Sequence, residues 1–270
     1  MNINLFKKYP PIKKLGQNFL QNSEIIKKIV QNINPQSTEY MLEIGSGYGA
    51  LTIPISRIVK ELIVLEIDEN LILFLSKKVC PEMLRIFLVD ALEFDYKNFF
   101  LQRNTLLFRI FGNLPYNIST IFLLKTIFFQ IHIYDMNLMF QKEVAERIMA
   151  SPNTKKYGRL SVIIQNFYKI TMILSISKEN FFPKPKISST FLKFVPILNK
   201  NKSLKYIFLL EYITKIAFSN RRKILKNSLG KLFSEKKMIS LGINPKYRAE
   251  NLSVKQYEKL VNSIILENLL

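Results

Sequence analysis

Asn113, Leu114, Pro115 and Tyr116 interrupt an apolar run in "FGNLPYNIS" (111–119). The upstream "LLFRIF" has the length of a buried strand and helical spacing follows, so the tetrapeptide falls at a strand-to-helix turn. These residue types suit work on the exocyclic amine of a base. An adenine amino nitrogen is a poor nucleophile because its lone pair is delocalised into the ring. Acceptors at the Asn113 side-chain oxygen and the Leu114 carbonyl would hold its hydrogens and favour a pyramidal, more nucleophilic nitrogen. Pro115 fixes the backbone that aims this carbonyl. Tyr116 offers a face for an extruded base, worth about 1–3 kcal/mol in single-strand binders. Stacking needs only the ring, so loss of the Tyr116 hydroxyl is expected to leave most of the activity. With a sulfonium leaving group no general base is required, and orientation with preset polar groups carries the catalysis. A helix entry with a packing tyrosine would use the same four residues for structure alone.

The methyl donor needs a second site. "LEIGSGYGALT" (42–52) sets Gly45, Gly47 and Gly49 at the end of the first strong strand, where the backbone can turn sharply against a ligand. The G-x-G-x-G spacing lacks the G-x-x-G that opens a helix over a pyrophosphate. Glu66 ends the next strand 19 residues after Gly47, suitably placed for ribose hydroxyls. Asp90 ends the third and could accept from an adenine amino group. S-adenosylmethionine fits this set better than a dinucleotide.

The elements that must position these residues alternate. "YMLEIGSG" (40–47), "LIVLEID" (62–68), "RIFLVD" (85–90), "LLFRIFGN" (106–113), "MNLMFQ" (136–141), "KITMILSI" (169–176) and "STFLKFV" (189–195) are β-rich runs between helical stretches. Such a rhythm implies an α/β, mostly parallel sheet with helices on both faces and ligands at the strands' carboxyl ends. The pattern breaks at "PILNKNKSLK" (196–205), and "LKYIFLLEYITKIAF", "RRKILKNSLGKLF" and "VKQYEKLVNSIILENLL" then carry helical spacing. Two domains are expected, 1–198 holding the chemistry and 199–270 forming a small, basic, all-α domain.

The chain has 270 residues and a formal charge of +20. Lysine accounts for 31 of the 40 basic residues in a chain also crowded with Ile, Asn and Phe, so part of the excess reflects A+T-rich codons. Distribution is more telling: residues 178–270 carry 19 Lys/Arg against 6 Asp/Glu. That bias favours a polyanion, with nucleic acid ahead of a membrane surface. Arginine is scarce at nine residues, so the adjacent Arg221 and Arg222, with Lys223, are read as phosphate contacts. Cys80 is the single cysteine and His132 the single histidine, which leaves no internal disulfide, no cysteine metal cluster and no expected metal. Both are expected to pack rather than react. No stretch reads as a membrane span, and "MNINLFKKYPPIKK" lacks the apolar centre of a leader, so a cytoplasmic protein is expected.

Taken in order, "KKLGQNFL", "LEIGSGYGALT", "VLEID", "FGNLPYNIS", "QKEVAERI", "YGRLSV", "FFPKPKISST", "AFSNRRKILKNSLG" and "RAENLSVKQY" resemble the ribosomal RNA adenine dimethyltransferase family. The resemblance runs from about residue 10 to 260. It implies a Rossmann-like class I methyltransferase with a seven-stranded, mostly parallel sheet, plus a small all-α C-terminal domain. It also implies S-adenosylmethionine as cofactor and the small ribosomal subunit with its rRNA as partner, where two adjacent adenosines of the 3′-terminal hairpin are each methylated twice. A monomer is expected. A large-subunit relative would share the glycine turn and an N-[LI]-P-[YF] site, but the last two segments favour the small-subunit branch. Carried onto this chain, Asn18 and Leu20 contact the cofactor, Gly45 lies against its methionine part, Glu66 holds the ribose and Asp90 the adenine. Asn113 serves both cofactor and target amine, and Phe181 closes over the other face of the base. Ser46 stands where the family commonly has proline, and Lys184 departs from "FFPPPK". Serine leaves more freedom in the unfolded chain, so a lower stability is expected. Lys184 is expected to add a charge beside the base pocket.

Overall fold

The apolar runs become strands. The computed structural model describes residues 9–79, 82, 84–103, 107–198 and 202–267, so Cys80 lies outside the described residues. In chain order the strands are β1 (Phe19–Leu20), β2 (Tyr40–Ile44), β3 (Glu61–Glu66), β4 (Leu84–Leu88), β5 (Phe108–Gly112), β6 (Ile133–Gln141), β7 (Tyr168–Ile176), β8 (Phe181–Phe182) and β9 (Ser189–Pro196). Helices α1 (Ser23–Ile33), α2 (Thr52–Ser56), α3 (Glu69–Ser76), α4 (Tyr96–Leu101) and α5 (Tyr116–Thr126) separate the earlier strands. Helices α6 (Lys142–Ile148) and α7 (Arg159–Phe167) precede β7. After β9 come α8 (Leu204–Ser219), α9 (Leu225–Ser228), α10 (Glu235–Ser240) and α11 (Val254–Glu267).

Seven strands form one sheet in the order β4-β3-β2-β5-β6-β9-β7. β2 to β6 pair in parallel and β9 joins β6 antiparallel. The expected mostly parallel, Rossmann-like sheet is therefore present. Its central strands are buried on both faces, as continuous runs such as "FRIFG" require. Because β2 has β3 on one side and β5 on the other, the order reverses there, and a crevice opens beyond the carboxyl ends. Asn22 caps α1 by accepting the amides of Glu24 and Ile25 at 3.0 and 3.2 Å. Two strands were not legible in the sequence: β1 and β8 pair as a separate two-stranded ribbon, Leu20 opposite Phe181 and Phe19 opposite Phe182.

The chain divides into two compact units, residues 1–142 with 170–196, and residues 143–169 with 197–270. One break between the units follows Pro196. Residues 143–169, expected in the first domain, instead belong to the second unit. Side chains explain why: Tyr206 donates to Asn166 Oδ1 at 3.2 Å, Asn166 Nδ2 to Glu258 at 3.2 Å, and Tyr157 to the Leu252 carbonyl at 2.9 Å. The second unit is helical as expected, but "RRKILKNSLGKLF" forms only the single turn of α9 followed by turns.

Candidate active site

A cavity of about 180 Å³ opens at the carboxyl ends of the strands, and Asn18, Glu43, Gly45, Glu66, Asp90 and Asn113 are among the residues lining it. Sequence reasoning placed five of these six together. Leu20 and Gly47 line it as well.

The glycine turn is shaped by what presses on it. Gly45 has φ +71° and Gly47 φ +55°, values that side-chain-bearing residues rarely adopt. A Cβ at Gly47 would meet Phe19 Cδ1 at 2.8 Å, so the loop lies hard against the N-terminal segment. A second close approach went unnoticed in the sequence: a Cβ at Gly112 would stand 2.4 Å from the Ile44 carbonyl oxygen, so β2 and β5 converge here only because that residue is glycine.

Glu66 ends β3 as a buried carboxylate with four donors. Oε2 accepts from the Gly47 amide at 3.0 Å and the Ser46 hydroxyl at 3.2 Å, and Oε1 from the Ile67 and Asp68 amides at 2.9 and 3.1 Å. Burial raises its pKa, and these donors oppose the rise. Ser46, the departure from the family's proline, thus holds the acid that ends the neighbouring strand. Asp90 is half-buried and its Oδ1 accepts the Leu92 amide at 2.8 Å.

Glu43 is the residue whose state the sequence did not reveal. It is 1 % exposed, and its Oε2 has no hydrogen-bond partner. Burial pushes its carboxyl up to about 8, opposed by the Thr52 hydroxyl, which lies beside it without completing a well-formed hydrogen bond, and reinforced by Glu66. The Glu43 oxygen without a partner is open to a hydrogen bond from a ligand, and a wall that also carries Glu66 and Asp90 opposes a polyphosphate. Gln17 was also unremarked. It donates to Asp68 at 2.9 Å and accepts the Ile12 amide at 2.7 Å, tying the N-terminal segment to the turn after β3.

Asn113 follows β5, and its Nδ2 donates to the Asn18 carbonyl oxygen at 2.9 Å. A carbonyl can only accept, so the amide nitrogen must face Asn18 and Oδ1 must face away. Neither Oδ1 nor the adjoining Leu114 carbonyl oxygen accepts a hydrogen bond among the described residues. Leu114 buries its side chain at 1 % exposure, and Pro115 holds the turn at φ −52°, ψ 136°. Tyr116 begins α5 half-buried, its hydroxyl 2.7 Å from Ser189 Oγ.

Phe181 is elsewhere than expected. It is 4 % exposed and packs in the core with Leu20, Ile176 and Phe191, while its neighbour Phe182 is 40 % exposed. Successive strand residues point to opposite faces, so one ring of the pair had to turn inward. Lys184 pairs with Glu179 at 2.9 Å, both well exposed. His132 stacks on Phe100 with ring centroids 5.1 Å apart.

The second unit holds the three candidate phosphate contacts. Arg221 is committed to protein: Nε donates to Glu250 Oε2 at 2.7 Å and Nη2 to the Lys155 and Tyr157 carbonyls at 2.6 and 3.1 Å. Arg222 and Lys223 are exposed.

A Rossmann-like sheet whose glycine turn, acidic strand ends, Asn113 and Pro115 converge on one cavity, with Leu114 and Tyr116 outside its lining, has the architecture of a class I methyltransferase. The comparisons narrow the class. A family model described as ribosomal RNA adenine dimethylase matches residues 12–266. The chain is 53 % identical over 266 residues to "Ribosomal RNA small subunit methyltransferase A" of Buchnera aphidicola subsp. Schizaphis graminum, covering 98 % of this chain and 96 % of that one. It is 40 % identical to the protein of the same name from Cronobacter sakazakii, over 97 % and 96 % of the two chains. A solved dimethyladenosine transferase from Plasmodium falciparum superposes with a TM-score of 0.79 at 25 % identity, covering 93 % of this chain and 98 % of that one. The chain belongs to the ribosomal RNA adenine dimethylase family.

Proposed function

We propose that the protein transfers methyl groups from S-adenosylmethionine to the exocyclic amines of two adjacent adenosines in the 3′-terminal hairpin of small-subunit rRNA, twice on each, during subunit assembly. It acts as a cytoplasmic monomer; no helix among the described residues is long and apolar enough to cross a membrane.

The cofactor supplies an electrophilic methyl group on a sulfonium leaving group. The residues fit such a cation: Glu43 offers an unpartnered buried oxygen, Glu66 and Asp90 add acidic character, and the glycine turn leaves room beside them. Asn18, Leu20, Gly45 and Gly47 would line the methionine end, Glu66 the ribose and Asp90 the adenine.

The observation that carries the reading is the Asn113 amide, whose Nδ2 donates to the Asn18 carbonyl, while Asn113 Oδ1 and the Leu114 carbonyl oxygen accept no hydrogen bond among the described residues. These two acceptors take the hydrogens of the target amine and direct its lone pair toward the methyl group. Pro115 holds their spacing, and the Tyr116 ring carries the base. The proton shed afterwards goes to solvent. Phe181 serves the other face of the base only if β8 rearranges, since its ring is buried. Arg222 and Lys223 meet RNA phosphates, and Arg221 supports the surface that presents them.

The test is incubation with labelled S-adenosylmethionine and separately purified, unmethylated small and large subunits. Label in adenosines of small-subunit rRNA is expected. Label confined to large-subunit rRNA overturns the assignment.

A further inference from the structure

We infer that Ser189 is a positioning residue that fixes the Tyr116 ring as the platform for the target base. The inference rests on the reading of Tyr116 as that platform and adds what holds it.

The Tyr116 hydroxyl and Ser189 Oγ lie 2.7 Å apart, the usual length of an O–H···O bond, although 73 residues separate them in the chain. Ser189 is fully buried, and Tyr116 is the hydrogen-bond partner of its Oγ among the described residues. The serine sits on a rigid element. It is the first residue of β9, paired with Gln141 of β6, and the preceding Ser188 carbonyl accepts the Lys142 amide at 3.0 Å. A ring at the start of a helix can turn about its side-chain torsions, whereas a ring tethered at its para-oxygen to the sheet cannot swing.

Ser189 also marks where the segment after "FFPKPK" re-enters the sheet. The other end of that segment is fixed by the β1–β8 ribbon, in which Leu20, a cavity-lining residue, faces Phe181. The Ser189 tether therefore sets the tyrosine ring in one frame with the phenylalanine loop and, through β1, with the cofactor side. Methyl transfer depends on the nitrogen lying in line with the carbon–sulfur bond, so a loosened platform should slow the chemical step more than it weakens docking. This reverses the expectation from sequence that the Tyr116 hydroxyl is dispensable.

The experiment is single-turnover methylation of unmethylated small subunits by wild type, Ser189→Ala, Tyr116→Phe, the double variant and Tyr116→Ala, with subunit and cofactor affinities measured beside it. Ser189→Ala and Tyr116→Phe should each slow methylation about tenfold, the scale of one oriented hydrogen bond. The double variant should be no slower than either single one, and both affinities should hold. Wild-type rates in Tyr116→Phe, or slowing that multiplies in the double variant, overturns the inference. If Ser189→Ala fails to fold, Tyr116→Phe removes the same bond from the less buried side and decides alone. A wild-type rate in Tyr116→Ala would instead remove the platform reading itself.

Discussion

The Gly47 amide donates to Glu66 Oε2 at 3.0 Å, so the glycine turn after β2 is held by the acid that ends β3. Glu66 is therefore both a candidate ribose ligand and the clasp of the loop beside it. Glu66→Ala removes a carboxylate whose charge-assisted bonds are worth about 1.5–3 kcal/mol each and leaves the Ser46, Gly47, Ile67 and Asp68 donors without an acceptor. Cofactor affinity should fall at least about tenfold, on the scale of one such bond, and the melting temperature should fall with it. Calorimetry showing unchanged affinity in a folded variant would take Glu66 out of the site.

Glu43 predicts a pH dependence. Its carboxyl is raised from the ordinary value of 4.5 to about 8 in the folded protein by burial. The folded state thus binds more protons than the unfolded state between these values, and the ligand-free protein loses stability as pH rises through that window. The slope from this group is at most about 1.4 kcal/mol per pH unit. Urea midpoints for wild type and Glu43→Gln across pH 5 to 8 isolate it: the difference between them should shift steadily in favour of the variant. Parallel profiles would mean that Glu43 is ionised throughout.

The basic pair and its neighbour should separate. Arg221→Ala removes the ion pair with Glu250 and two hydrogen bonds to backbone carbonyls, and should destabilise the protein by roughly 1 kcal/mol while leaving the salt dependence of subunit binding unchanged. Arg222→Ala with Lys223→Ala should leave stability alone and reduce the salt slope by about 1 for each phosphate no longer neutralised. Binding measured from low to moderate salt decides, and an unchanged slope in the double variant assigns both residues to a solvated face.

What the sequence made legible was local. The seven runs of the main sheet are bounded by period and turn residues, and Gly45, Glu66, Asp90 and Asn113 stand at strand ends whatever the pairing. What stayed hidden depends on partners far along the chain. "QKEVAERI" and "YGRLSV" continue the α/β rhythm, yet Tyr157 and Asn166 bind residues near 250 and settle that segment in the second unit. In "FFPKPK" the two rings are equivalent as letters, and only the pairing of β8 with β1 turns Phe181 inward. Arg221 and Arg222 are likewise indistinguishable until Glu250 selects one. Ser189 opens a legible strand, but its bond to Tyr116 was hidden, because that partner lies 73 residues away.

The most direct test of the central claim concerns the amide that Asn18 turns. Asn113→Ala removes one preorganised acceptor at the target amine, and the Leu114 carbonyl and Tyr116 ring remain. Single-turnover methylation of unmethylated small subunits should slow by roughly 10²–10³, the cost of one such preset polar group, while subunit affinity holds. A wild-type rate in the folded variant would contradict the account.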